Sequence, residues 1–404
     1  MKVKEKNTVV LKDVEIQENN NNTENVKSIK KRDASIELIR IVACITVVLI
    51  HLSLNVFDQY HSQVDWSRLF EKCFFTDGVP LFYMIMGFFI ANGRSYKKMW
   101  KNTFKRVVIP TLLYVWFAQV FYMFIINKQN IAWCLKNAFI NSNIPGITRT
   151  IITGEVVHIN SLCDHLWYII SYLKIMIWVP VLWLICKEED NSKLARRIIL
   201  ILSSIAMIIT DIQRFVTLPV GVINVFEMID PDIFYVILGY ELFVHKDKIK
   251  NNKKLCIISL ITFVLANVLR YKAEMQYMID NNFYEVAGRV TFANWKYTFL
   301  NVISGLSLFM GLYSFDIKNE KIAKCINWVA DKTFGIYLIH YLLLAKIDLY
   351  KFDKIGTFIY ELIYLAVGLV VIFTASLLIV CLLRFIKKLF LKLFSKLIKT
   401  KKEA

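Results

Sequence analysis

Residues 36–54 read "IELIRIVACITVVLIHLSL". About 20 apolar residues wound as a helix cover the hydrocarbon core of a bilayer, yet this run holds Arg40 and His51. At eleven positions apart the two are close to three turns from each other. They therefore share one face, about 16 Å apart along the axis. Glu37, Cys44, Asn55 and Asp58 fall on or near that stripe, and the opposite face is Ile, Val and Leu. A charge at the membrane centre costs about 3 kcal/mol on insertion scales, so such a stripe is expected to look into a protein cavity. The plainer reading of Arg40, about one turn inside, is that it snorkels to the near surface. His51 lies too far up the helix for that. Its plainer reading is a neutral imidazole hydrogen-bonded between helices.

The rest of the chain repeats the apolar pattern. Of 404 residues 56% are hydrophobic, and runs near 20 residues recur along most of the length. In lipid the backbone must pair with itself, in helices or a closed barrel. The expectation is an all-α, polytopic integral membrane protein. Ten candidate spans fall at roughly 36–57, 73–92, 107–126, 165–186, 197–210, 232–245, 255–270, 293–315, 333–350 and 356–383. Residues 1–32 are polar, with an Asn run at Asn19–Asn22, and read as a disordered cytosolic tail rather than a signal peptide. Residues 33–383 form the membrane domain. Residues 384–404 open with "RFIKKLFLKLFSKLIKTKK", which alternates Lys with Phe, Leu and Ile at helical spacing. This basic amphipathic tail is expected to lie along the inner surface, with plain continuation of the tenth helix as the alternative.

Lys and Arg collect on the cytoplasmic side of membrane proteins. With the N-terminus inside, 35 of them fall in cytoplasmic segments and 10 in outer ones. Both termini are thus expected in the cytosol. The net charge of +18 then faces an anionic leaflet, so membrane lipids and not nucleic acid are its partners. The eight cysteines form no CxxC pair. Cys44, Cys186 and Cys381 sit in or beside apolar runs as small packing residues, and Cys134 and Cys163 share one loop, where a disulfide is one option. The sequence shows no metal-ligand spacing, no phosphate-binding glycine loop, no internal repeat and no signal for an oligomeric state.

The Arg-x10-His arrangement of Arg40 and His51 resembles the opening signature of the acyltransferase-3 family, integral membrane acyltransferases that modify surface carbohydrates. Four further stretches resemble family motifs in the same order. They are "DGVPLFYMIMGFFIANG" (77–93), "KRVVIPTLLYVW" (105–116), "HLWYIISYLKIMIWVPVL" (165–182) and "FGIYLIHYLLL" (334–344). The likeness runs from residue 33 to about 383. Glu37 stands where many members have Asp, Met86 where Ser usually precedes Gly-Phe, and Lys105 and Arg106 adjoin where two Arg three apart are usual.

The resemblance implies transfer of an acyl group, usually acetyl, from cytosolic acyl-CoA to a sugar hydroxyl on or beyond the outer side. Acyl-CoA is a co-substrate, and no permanently bound cofactor or metal is expected. His51 is the candidate base, since an imidazole with a pKa of about 6.5 can take a hydroxyl proton at neutral pH. Transient acylation of His51 is a variant of the same chemistry. Arg40 would steady a phosphate or carbonyl oxygen, or hold Glu37. His340, three residues after Tyr337 on one helix face, could shuttle a proton or orient the acceptor. Lys101, Lys105 and Arg106 would meet the CoA phosphates, the alternative being a plain topology signal. Lys174 is too deep to snorkel and is expected to face the cavity, whereas Lys296 and Lys346 lie nearer span ends. His165 opens its span at the outer surface beside Trp167 and Tyr168, whose rings are either sugar-binding faces or part of an outer aromatic belt. Asp77 is expected to pair with a cation. His61, His158 and His245 lie in loops and receive no role. The rival classes are a transporter or flippase for lipid-linked sugars or another anionic lipid, and a non-catalytic membrane partner. The setting implied is a multi-pass protein of the bacterial cytoplasmic membrane.

Overall fold

The computed structural model describes residues 32–53, 57–58, 63–64, 66–90, 95–126, 128–137, 162–213, 230–280, 298–344 and 358–403. Nearly all of them are helical. The exception with regular structure is one antiparallel pair of two-residue strands, Phe57–Asp58 against Gln63–Val64.

Helix α1 (Ala34–Leu52) starts where Asp33 caps it, accepting the Ser35 N–H at 3.0 Å. The same carboxylate takes Lys250 Nζ at 2.7 Å and the Tyr313 hydroxyl at 3.3 Å, tying three parts of the chain to one end of the bundle. The helix stops at Leu52, with Ser53 extended. Asp58 therefore stands on a strand and not on the polar stripe of α1, and Asn55 lies outside the described residues.

The second apolar run is two helices, α2 (Trp66–Phe75) and α3 (Gly78–Ile90), separated by a turn at Thr76–Asp77. Pro80 sits in the first turn of α3, where its missing N–H costs nothing. The third run begins well before the apolar stretch, with α4 (Tyr96–Thr103), and passes through a π-helical segment, Phe104–Val108, into α5 (Ile109–Phe121). Pro110 cannot donate to the carbonyl four residues back. The Ile109 N–H reaches Phe104 O instead, widening the helix at Lys105 and Arg106. After a short α6 (Ile131–Asn137) come α7 (Trp167–Ile185), α8 (Asp190–Gln213), α9 (Pro231–Val244), α10 (Lys246–Ile249) and α11 (Lys253–Asp280). The series closes with α12 (Phe299–Tyr313), α13 (Glu320–Ala330), α14 (Thr333–Leu344) and α15 (Phe358–Glu403).

Six described stretches are long and apolar enough to cross a membrane: Ala34–Leu52, Trp66–Ile90, Tyr96–Ile125, Asp164–Ile185, Lys253–Asp280 and Ile359–Lys392. α12 and α14 are apolar but shorter. The fifth run, narrow by hydropathy, is a 24-residue helix lengthened by polar ends. The sixth, α9, keeps only 14 residues, about 21 Å of helix. It packs against α3 so closely that a Cβ on Gly87 would lie 1.8 Å from Val236 O, and one on Gly239 would lie 2.0 Å from Met84 O. Only glycine fits at either crossing, which lets the two backbones touch.

Two open alternatives are decided. The basic C-terminal segment is not a helix of its own, because α15 runs unbroken for 46 residues. No Gly or Pro interrupts 369–403, and Arg384 docks the helix by bonding the Asp331 carboxylate and, at 2.5 Å, its carbonyl. Cys134 and Cys163 are both free thiols, each buried, with Cys134 packed on Met123.

Candidate active site

His51 is in the last turn of α1. Its ring centroid lies 5.4 Å from that of His340 on α14 and 6.5 Å from that of His165. His165 and His340 are 5.2 Å apart. Three imidazoles from distant parts of the sequence thus form one cluster. Tyrosines set it in place. Tyr341 stacks on His165 at 4.8 Å and meets His51 edge-on at 5.2 Å. The Tyr114 hydroxyl donates to Leu162 O at 3.0 Å, and the Tyr337 hydroxyl donates to His165 O. The single 3-10 turn Asp164–Leu166 that carries His165 is therefore pinned on both sides.

The cluster borders a cavity of about 190 Å³. His51, His165, Lys72 and Thr76 give it polar walls, and Trp167, Tyr168 and Tyr337 give it aromatic ones. Val47, Ile50, Phe75 and Val79 close the apolar side. Thr76 also belongs to a second buried polar group behind the wall. Arg270 donates to the Thr76 hydroxyl, to Asn301 Oδ1 at 2.9 Å and to Cys73 O at 3.3 Å. Ser304 donates to Asp77 Oδ2 at 2.6 Å, and Asn301 donates to the Tyr235 hydroxyl at 3.1 Å. Asp77 takes its bond from Ser304 and not from a cation, while Arg270 holds the elbow between α2 and α3. Among the described residues no trio of His, Cys, Asp and Glu is arranged to hold a metal ion.

The residues singled out by sequence divide. His51, Tyr337 and Trp167 line the cavity, and His340 stands directly behind it. Arg40 does not line it. Arg40 pairs with Glu37 one turn earlier on α1. Lys174 is also off the cavity wall. It is half-exposed and pairs with Asp230, with Asp232 at 3.9 Å. Lys101, Lys105 and Arg106 are exposed. Along α4 and α5 they precede Tyr114, the neighbour of His165, and Lys105 and Arg106 stand about 12–14 Å of helix before it. His245 faces Glu241 at 3.9 Å, away from the cluster. His61, His158, Lys296 and Lys346 lie outside the described residues.

Sequence reasoning missed His165, Tyr341, Tyr114 and Lys72. His165 opens its span at the outer surface, and the His-Leu-Trp-Tyr stretch that contains it is the signal that could have found it. Lys72 falls in α2, just before the apolar run from 73.

An acyltransferase-domain family model matches residues 33–383. The chain belongs to the acyltransferase-3 family. The match begins at Asp33, the cap of α1, and stops one residue before Arg384. No curated relative and no solved structure matches the chain. Family membership and the long apolar helices together make this a multi-pass membrane acyltransferase.

Proposed function

We propose that the protein moves an acyl group, acetyl in the simplest case, from cytosolic acyl-CoA to a hydroxyl of a cell-surface or lipid-linked carbohydrate, with His51 as general base. The observation that carries this reading is the cavity itself, which brings an imidazole of the signature helix against a hydroxyl, a cation and three aromatic faces. A sugar can stack on Trp167, Tyr168 or Tyr337 and present a hydroxyl to His51. As that oxygen attacks the thioester carbonyl, its proton passes to His51. The new C–O bond forms, the C–S bond breaks, and the proton goes on to the departing CoA thiolate. Lys72 offers charge to the developing oxyanion.

The donor enters from the opposite end in this reading. Lys101, Lys105 and Arg106 take the CoA phosphates and the Arg40–Glu37 pair lies on the way to the cavity. A phosphate site removed from the reacting carbon suits CoA, whose long pantetheine arm separates the two. The helix-end contacts support ten passages with both termini on the cytoplasmic side. Asp33 meets Lys250 and Tyr313, Arg196 meets Ile185 and Glu241, and Arg384 meets Asp331, as an alternating bundle requires. The basic residues at those ends fit the inner leaflet of a bacterial cytoplasmic membrane.

Changing Lys105 and Arg106 together to Gln is expected to raise the KM for acyl-CoA several-fold and leave that for the sugar unchanged. A phosphate–cation contact at a wet mouth gives mainly ground-state affinity, so its loss is read in KM. The salt dependence of donor KM should also become shallower. Unchanged donor KM and salt slope in a correctly inserted variant would put the CoA site elsewhere.

A further inference from the structure

His340 is wholly buried, and its Nδ1 lies 2.7 Å from Tyr337 O and 3.3 Å from Ile336 O. A carbonyl oxygen only accepts, so Nδ1 carries the hydrogen. In the neutral ring the other nitrogen, Nε2, is then a bare lone pair. Nε2 has no hydrogen-bond partner of normal geometry among the described residues. Leaving a buried acceptor unpaired is costly, so this nitrogen calls for a donor. The tautomer is fixed by the helix, and the ring is fixed by the bundle.

A donor stands close by. A nitrogen–nitrogen distance of about 2.9 Å plus two ring radii gives an in-line imidazole pair a centroid separation of about 5 Å. The His51–His340 separation is 5.4 Å. A base histidine needs its second nitrogen held, and in hydrolase triads a carboxylate does this. No Asp or Glu is among the described residues lining this cavity.

We propose that His340 is a positioning residue for His51: its Nε2 lone pair accepts the inward N–H of His51 and leaves the other His51 nitrogen, as a lone pair, facing the cavity. This rests on His51 being the base. A neutral partner stabilises the imidazolium less than a carboxylate would, which favours handing the proton on to the thiolate. The His165 ring also lies near His340, with 5.2 Å between ring centroids, so the test includes it.

The experiment compares His340→Gln with His340→Asn in the full-length protein in proteoliposomes, with acetyl-CoA as donor. The Gln oxygen reaches the place of Nε2. The Asn amide reaches only the place of Nδ1 and keeps the backbone bond. With folded, monodisperse protein, Asn is expected to lower kcat about tenfold or more at unchanged KM, with Gln recovering most of it. Asn equal to or better than Gln, or a change confined to KM, would make His340 a mere backbone anchor and overturn the proposal. His165→Phe combined with His340→Asn should give multiplied losses, whereas no added loss would mean that the lone pair serves His165. Nitrogen-15 spectra of histidine-labelled wild type give a second reading that needs no variant. His340 should be in the Nδ1–H tautomer, and the Nε2–H tautomer would contradict it. An active His51→Ala variant would instead remove the base reading itself, while an inactive one with Asn better than Gln would remove only the positioning role.

Discussion

His51→Ala is expected to lower acyl transfer by about 10²–10⁴-fold, the usual worth of a general base. The protein should stay folded and inserted. His51 lines the cavity, so truncating it enlarges a space that already exists instead of opening one in close-packed core. The apolar side of α1, including Ile36, Ile39, Val47 and Val48, remains buried against its neighbours. KM for either substrate should move little, because the proton is transferred in the transition state and the ground-state contacts lie with other residues. The check is a steady-state assay on wild type and variant at matched amounts of monodisperse protein. Near-normal kcat in the variant would take His51 out of the mechanism.

Arg196→Ala is expected to have the largest effect on stability. The side chain is 2% exposed and joins three helices at one end of the bundle. It donates to Glu241 of α9 at 2.5 Å, to Ile185 O at 2.8 Å and to Lys187 O, and its guanidinium lies 4.7 Å from the Tyr240 ring centre. The Ile185 carbonyl is among those a helix end leaves without an internal partner. Truncation strands that carbonyl and the Glu241 carboxylate together. Glu241 is a quarter exposed, so breaking this pair from one side should cost less than the about 3–5 kcal/mol of a fully buried one. Thermal unfolding in nanodiscs should show a much lower midpoint, and Arg196→Lys should recover only part of it, since an ammonium cannot reproduce the planar fork. An unchanged midpoint for the alanine variant would mean that the clasp carries no load. Arg196 does not line the cavity, so protein that survives should keep measurable transfer.

The sequence is legible where a local rule decides. A step of eleven positions from Arg40 to His51 gives their common face whatever the rest of the chain does, and a run of apolar residues gives a helix in lipid. The same spacing does not give depth. His51 reaches the cavity while Arg40, about 16 Å away along the axis, pairs with its own helix through Glu37. Lys174 looked buried by position on α7, but Asp230 and Asp232 come from a segment more than fifty residues on and meet it at a half-exposed place. The place of His165 could not be read from its neighbours in sequence, because it depends on Tyr114 and Tyr337 closing from two other helices. Hydropathy also misplaced edges. The polar openings of α4 and α8 still wind as helix, Lys and Met favouring it in α4 and Asp190 suiting the positive N-terminal end of α8, so both helices run beyond their apolar runs. The continuation of α15 was readable, since neither Gly nor Pro stands between 369 and 403.

The central claim is that this chain carries an acyl group from acyl-CoA to carbohydrate through His51. Membranes holding wild type or His51→Ala, at equal levels of inserted protein, are given acetyl-CoA radiolabelled in the acetyl group, and the carbohydrate fraction is counted before and after mild base. Wild type should put base-labile label into carbohydrate, and His51→Ala should leave it near the level of membranes lacking the chain. Equal labelling by all three membranes, with the wild-type protein folded and supplied with its native surface glycan, would contradict the account.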